Sequence, residues 1–547
     1  MENFSSPLQA FNHWVSQSPN KVFLKQPINR KHLEFTFKES HDEAAKLASA
    51  LHKLGVAPGD HVALLSKNCA HWLIADLAIM MAGCVSIPIY PTLGADSIQS
   101  ILEHSESKAV IIGKLDDYSK QQSGIPDILK IGVELYGINE QHSWEQLVVE
   151  SSPLSNTHHQ EDDEIMTIMY TSGTTGAPKG VMHTVSAFNE ISLTAIEKIA
   201  LPPQPRLFSY LPLTHIAERA GIEMSAIYRG GEVSFPESLD TFGEDLATCQ
   251  PHLFFGVPRI WQKFQEKILE KMPQEKLTKL VNLPVLGSII KKKIRKKLGL
   301  SQSAANFSGA APIAVSLKQW YRKLGIEINQ AYGMTEDCIL SHFNLPGANK
   351  FGTVGKPMPG VISKLSEEGE ILIKSNCLMH GYYKEPEKST AMFTEDGFLK
   401  TGDIGEFDHD GYLTITGRVK DQFKTDKGKY ISPAPIELEL LKNTDIEQVC
   451  IVGTGIPQPI ALIVLSEQGK NKSQVQIDES IWTTINQVNP ALESFEKVAK
   501  AVIMKEDWTI DNGLMTPTLK VKRNQVEKIH MPMYAGWFNQ AGNVVHE

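Results

Sequence analysis

YTSGTTGAPKG, residues 170 to 180, holds three glycines, four threonines or serines, one proline and one lysine in eleven positions. Such a run forms neither helix nor strand. Glycines let a backbone turn its N–H groups towards an anion, hydroxyls add donors, and the lone lysine adds a point charge. The composition therefore suits a phosphate cradle. It is not the Walker pattern, because the position five beyond Gly173 is Pro178, where that motif needs glycine. Composition alone also fits a surface linker. The apolar stretch EIMTIMY (164–170) tips the balance, since it reads as a strand feeding the loop, and ligands of α/β folds gather at the C-terminal ends of strands.

Outward from the loop, the first half alternates between strand and helix patterns. HVALLS (61–66), VSIPIY (85–90) and KAVIIG (108–113) read as strands; HWLIADLAIMMAG (71–83) and ADSIQSILEHSES (95–107) read as helices. The alternation predicts a parallel sheet wrapped by helices. LFSYLPL (207–213), HLFFGVP (252–258), AANFSGA (304–310) and IEINQAY (326–332) are further strand candidates. From about residue 350 short strands punctuated by glycine turns predict a small β-rich subdomain, and a third region begins near residue 420.

The chain has 547 residues, enough for about three or four structural units. Its net charge of −9 marks no nucleic-acid binder. Six cysteines lie far apart with no CxxC pair, which argues against a zinc site or disulfide framework and suits a reducing cytosol. The start has no signal-peptide pattern, and no apolar run approaches the roughly 18 residues of a membrane span.

The opening loop resembles the signature of the adenylate-forming superfamily, which includes acyl-CoA synthetases and luciferases. Further stretches resemble it in the superfamily's order: LPLTHIAER (211–219), SGAAPI (308–313), QAYGMTE (330–336), FGTVGKPMPG (351–360), GYYKEPEKSTAMFTEDGFLKTGD (381–403), GRVKDQFKTDKGKYISPAPIE (417–437) and TPTLKVKR (516–523). The resemblance implies an α/β fold. A large N-terminal region (1–417) would carry doubly wound sheets and the β-rich subdomain (about 350–417). A hinge (418–421) and a smaller, mobile α+β domain (422–547) would follow.

The implied reaction explains the residue types. A carboxylate resists nucleophiles because it is an anion; attack on the α-phosphate of ATP turns it into an acyl-adenylate with AMP as leaving group, and the thiol of CoA then takes the acyl group. Charge shifts onto phosphate oxygens in the first step, so cations and donors must surround them. By resemblance Thr171, Ser172, Gly173, Thr174, Thr175, Gly176 and Lys179 hold the pyrophosphate part, Thr335 meets the α-phosphate, and Glu336 binds Mg²⁺. Gly309, Ala310, Ala311, Tyr332 and Gly333 form the adenine slot, while Asp403 and Arg418 take the ribose. Lys520 neutralises the reacting phosphate and carboxylate, Lys420 is the hinge residue, and Gly428 faces the pantetheine of CoA. The superfamily's Ser-Gly-Gly is replaced at this last place by Asp426-Lys427-Gly428.

LPLTHIAER, FGVPRIW (255–261) and KYISPAPIE look most like the long-chain fatty acyl-CoA synthetase branch. That implies a medium- or long-chain fatty acid, with His215 and Gly256 at the acyl pocket and free CoA as acceptor. An aryl acid, a carrier-protein acceptor, or a regulator without turnover are the alternatives. Residues 273–300 join an apolar patch to a lysine-rich run, a pattern that fits either peripheral contact with an anionic membrane or a solvated helix with snorkelling lysines.

Overall fold

The computed structural model describes residues 4–171, 179–516 and 520–547. Two large sheets form the N-terminal part. One has eight strands, in the order Gly381–Tyr382, Lys179–Thr184, Ile165–Thr171, Val85–Ile89, His61–Leu65, Ala109–Ile112, Leu129–Gly132 and His142–Ser143. Its strands run parallel up to Ile165–Thr171, which turns back antiparallel into Lys179–Thr184. The other has nine strands, and its centre is the parallel set Arg206–Phe208, Leu253–Phe255, Ala305–Ser308 and Ile328–Tyr332.

One apolar core joins the two sheets, drawing Val62 and Leu64 from the first and Leu207, Leu253 and Phe307 from the second. Helix Ala70–Met81 lies within it with all twelve residues buried. That explains its mainly apolar sequence: a helix covered on every side needs no polar stripe, and its buried Asp76 is held by the Arg219 guanidinium at 2.6 Å. The β-rich subdomain is a four-stranded antiparallel sheet in the order Ile362–Leu365, Glu370–Lys374, Leu399–Phe407, Leu413–Arg418. Beyond it, a separate sheet (Ile446–Val452, Ile460–Leu465, Lys500–Ile503, Val544–His546) is packed on its two sides by two apolar clusters of its own.

Two expected strands are shorter than the sequence suggests. LFSYLPL pairs only through Arg206–Phe208. Beyond it, the Ser209 N–H still reaches Ser234 O at 2.9 Å, but the Tyr210 N–H donates to the Glu218 carboxyl group at 2.8 Å rather than to a neighbouring strand, and Pro212 has no N–H to give. HLFFGVP pairs only through Leu253–Phe255, because Val257 already caps the helix that opens at Pro258.

Candidate active site

Three of the parallel strands end at the same side of the sheet, each a step beyond the last, at Phe255, Ser308 and Tyr332. Phe255 pairs with Phe307 and Ser308 with Gln330, so Gly256, Gly309 and Gly333 emerge along one edge of the sheet. The edge is tight. A Cβ on Gly309 would lie 2.8 Å from the Phe255 ring and 2.9 Å from the Ala331 carbonyl, so only glycine fits there. Ala310 follows with φ +64°, an unusual backbone for a residue with a Cβ. The Gly256 N–H donates to Phe307 O at 2.9 Å, and its carbonyl accepts the Trp261 indole N–H at 2.9 Å.

Ser172, Gly173, Thr174, Thr175 and Gly176, expected to hold phosphate, lie outside the described residues. Their two anchors do not: Thr171 and Lys179 are a cross-strand pair that closes the hairpin. The next strand of the same sheet brings Tyr382 beside Val181. The Lys179 ammonium stands 4.8 Å from the centre of the Tyr382 ring, and the Tyr382 hydroxyl donates to a Glu336 carboxylate oxygen at 2.8 Å. The His183 imidazole donates to Thr335 O at 2.6 Å, and Met379 N–H to Glu336 O at 2.8 Å. Thr335 and Glu336 are thus fastened onto the strand that leaves the glycine-rich loop. Burial lowers His183 to about 4, with the bond to Thr335 opposing, so the ring is neutral at pH 7.

A second group assembles around Asp403. It pairs with Arg418 across the small sheet. One carboxylate oxygen accepts the Arg418 Nε–H at 2.6 Å and the other the Tyr332 hydroxyl at 2.7 Å. Asp403 is buried and its charge holds the half-exposed Arg418 guanidinium firmly protonated.

Lys520 reaches this group from the C-terminal sheet's side of the molecule. Protein mass around its ammonium, then the like charge of Arg418, lowers it to about 8, while Asp403 opposes. The lysine itself keeps solvent access and is not sealed in a core. The same lysine acts on His215, which burial first and Lys520 second lower to about 4. His215 caps its short helix by accepting the Ala217 N–H at 3.2 Å. An Arg259–Glu447 ion pair bridges the helix after Gly256 to the C-terminal sheet.

Two further expected residues lie in turns. Lys420 is exposed in the turn Val419–Asp421. Gly428, at φ +77°, lies in the turn between strands Phe423–Lys424 and Tyr430–Ile431, and among the described residues it makes no hydrogen bond to the Asp403 group. Sequence reasoning passed over Tyr382 and His183. Tyr382 stood inside a quoted motif, yet only strand pairing shows which of its two adjacent tyrosines faces Glu336.

The profile of the AMP-binding enzyme family matches residues 11–383, and that of the AMP-binding enzyme C-terminal domain matches residues 420–532. The chain belongs to the AMP-binding enzyme family. The long-chain-fatty-acid–CoA ligase FadD15 of Mycobacterium bovis is 30% identical, the alignment covering 93% of each chain. Long chain acyl-CoA synthetase 2 of Arabidopsis thaliana is 27% identical over 96% of this chain and 91% of its own. Among solved structures, the adenylation domain of a carboxylate reductase from Mycobacterium chelonae superposes with a TM-score of 0.80 at 20% identity, covering 98% of this chain and 91% of that one. The o-succinylbenzoate CoA synthetase of Bacillus subtilis bound to its acyl-adenylate gives 0.75 at 21%, covering 95% and 97%. Within its family, this chain is an AMP-forming acid–CoA ligase.

Proposed function

We propose that the enzyme activates a medium- or long-chain fatty acid as its acyl-adenylate and passes the acyl group to free CoA. The observation that carries this reading is the fastening of Thr335–Glu336 against the strand of Lys179, through Tyr382 and His183. It holds the Glu336 carboxylate and the Lys179 ammonium against the same tyrosine, where this reading puts the triphosphate. One carboxylate with no cage of further ligands suits Mg²⁺, which is typically held by one or two protein carboxylates together with substrate phosphates; no cluster of three or more His, Cys, Asp or Glu fit for a metal occurs among the described residues. Bound there through Glu336, the ion would supply charge neutralisation at the phosphates.

The chain's own groups divide the remaining work. Thr171, Lys179 and the loop between them bind the β- and γ-phosphates. Gly309, Ala310, Ala311, Gly333 and the Tyr332 ring enclose adenine. Asp403, already oriented by Tyr332 and Arg418, accepts from the ribose hydroxyls. Lys520 donates to the α-phosphate oxygens and the acyl carboxylate as the new P–O bond forms and pyrophosphate departs. Neutral His215 and Gly256 stand at the entry of the acyl chain. For the second step the C-terminal domain turns about Lys420, withdrawing Lys520 and bringing the Gly428 turn to the cleft for the pantetheine arm.

Pyrophosphate release measured over saturated acids of increasing length, with hydroxylamine trapping the adenylate, tests the reading. Product should grow with chain length, and free CoA should convert it to thioester. A preference for aryl acids, the substrates of several structural neighbours, would replace the fatty-acid assignment. The absence of any trapped product would refute adenylation.

A further inference from the structure

Between the strands that end at Gly256 and lead to Gly309, the chain makes an excursion. Helix Pro258–Lys271, about 21 Å long, leads to a pair of helices, Gln274–Val281 and Leu286–Lys297. Their apolar residues divide into two sets. Leu277, Val281, Ile290 and Ile294 pack inward with Leu324, and Gly287 lets the helices close, since a Cβ there would lie 2.3 Å from Val281 O. The second set is left largely facing solvent. Leu283 is 45% exposed, Val285 77%, Leu286 44% and Ile289 56%, contiguous at the tip. Val285 also holds φ +62°, a strained backbone for a β-branched residue, and strain of this kind gathers at functional places.

Charge surrounds the tip. Residues 271–297 carry nine lysines and arginines against one acid, Glu275, in a chain whose net charge is −9. Lys292, Lys293, Lys296 and Lys297 are exposed, and among the described residues none of them enters an ion pair.

We propose that this helical hairpin docks the enzyme on an anionic lipid bilayer, with Leu283, Val285, Leu286 and Ile289 entering the headgroup region and the lysines meeting lipid phosphates. Apolar tips ringed by long cationic side chains bind in this way, the ammonium groups staying at the interface while the apolar atoms enter. A second copy of the chain suits the surface poorly. Four side chains fall short of the roughly 1,200 to 2,000 Å² that stable protein interfaces bury, and like charges would face each other.

Flotation of the intact enzyme with vesicles tests this without nucleotide or CoA, so failure of the fatty-acid reading would leave the result interpretable. One vesicle set is phosphatidylcholine alone; the other is an equal mixture of phosphatidylcholine and phosphatidylglycerol. The enzyme should float with the mixed vesicles at low salt and much less with the neutral ones. Replacing lysines by glutamine (K292Q, K293Q, K296Q) should weaken partitioning about fivefold per residue. V285S/L286S should weaken it while leaving its salt dependence intact. Both variants should release pyrophosphate with a short soluble acid as the parent does. No flotation with the mixed vesicles overturns the proposal. So does equal flotation of parent and variants, or a dimer in light scattering that V285S/L286S dissociates while flotation persists.

Discussion

Replacing Tyr382 by phenylalanine removes one atom and leaves the ring. The lost group is the hydroxyl that donates to Glu336 at 2.8 Å; the retained ring still lies 4.8 Å from the Lys179 ammonium. A hydrogen bond to a charged group contributes about 1.5 to 3 kcal/mol, which at about 1.4 kcal/mol per decade corresponds to roughly 12- to 140-fold. Glu336 keeps its backbone anchor, the Met379 N–H to its carbonyl, so the carboxylate loses aim but not place, and the lower end applies. The Mg²⁺ concentration for half-maximal adenylate formation should rise about tenfold. Alanine removes the ring as well. With about 0.5 to 1 kcal/mol for the cation–ring contact, it should lose a further two- to fivefold or so. The assay is single-turnover pyrophosphate release at fixed ATP and acid with Mg²⁺ varied, after melting curves establish that each variant is folded. An unchanged Mg²⁺ dependence in Y382F would refute the view that this hydroxyl aims Glu336.

Lys520→Ala should slow adenylate formation by about two to three orders of magnitude while sparing thioester formation from supplied acyl-adenylate; equal loss of both steps contradicts the assigned role. Because Lys520 must be protonated to neutralise phosphate and sits at about 8, the first step should also decline as pH rises through about 8, and a pH-independent rate up to pH 9 or so would count against it. Gly309→Ala forces a Cβ to 2.8 Å from the Phe255 ring and should cost about 1 to 3 kcal/mol of stability, read as a lowered Tm with weakened ATP binding. Stability itself should peak near about pH 6.5. Burial lowers His71, His183 and His215 to about 4 and His342 to about 3, so the unfolded chain binds more protons and stability climbs until the ordinary histidine range is passed. Burial raises Glu218 and Asp337 to about 8, so the folded chain holds the extra protons and stability falls as pH approaches 8. A Tm still rising between pH 7 and 8.5 would show that other groups govern it.

The motifs were legible because their spacing is local: a glycine-rich loop after an apolar strand, glycines at three strand ends, TGD followed by GR. The buried helix was legible too, since Ala70–Met81 has no polar stripe to hide. What eluded a linear reading were relations across the chain. Tyr382 meets Glu336 from 46 residues away. The strand that opens at Arg206 stops early because Glu218, on the following turn, captures the Tyr210 N–H. In residues 273–300 the sequence offered an apolar run and a basic run together, but nothing local distinguishes Leu277, which packs inward, from Val285, which does not.

Arg418 is the last residue of its strand and the last before the turn Val419–Asp421, and it is also the group that grips Asp403. Whatever moves beyond that turn therefore moves past a fixed post. On the proposed mechanism, the half of the cleft built around Asp403 would keep one shape while the opposite wall exchanges one set of tools for another, as a vice holds the work while the bit is changed.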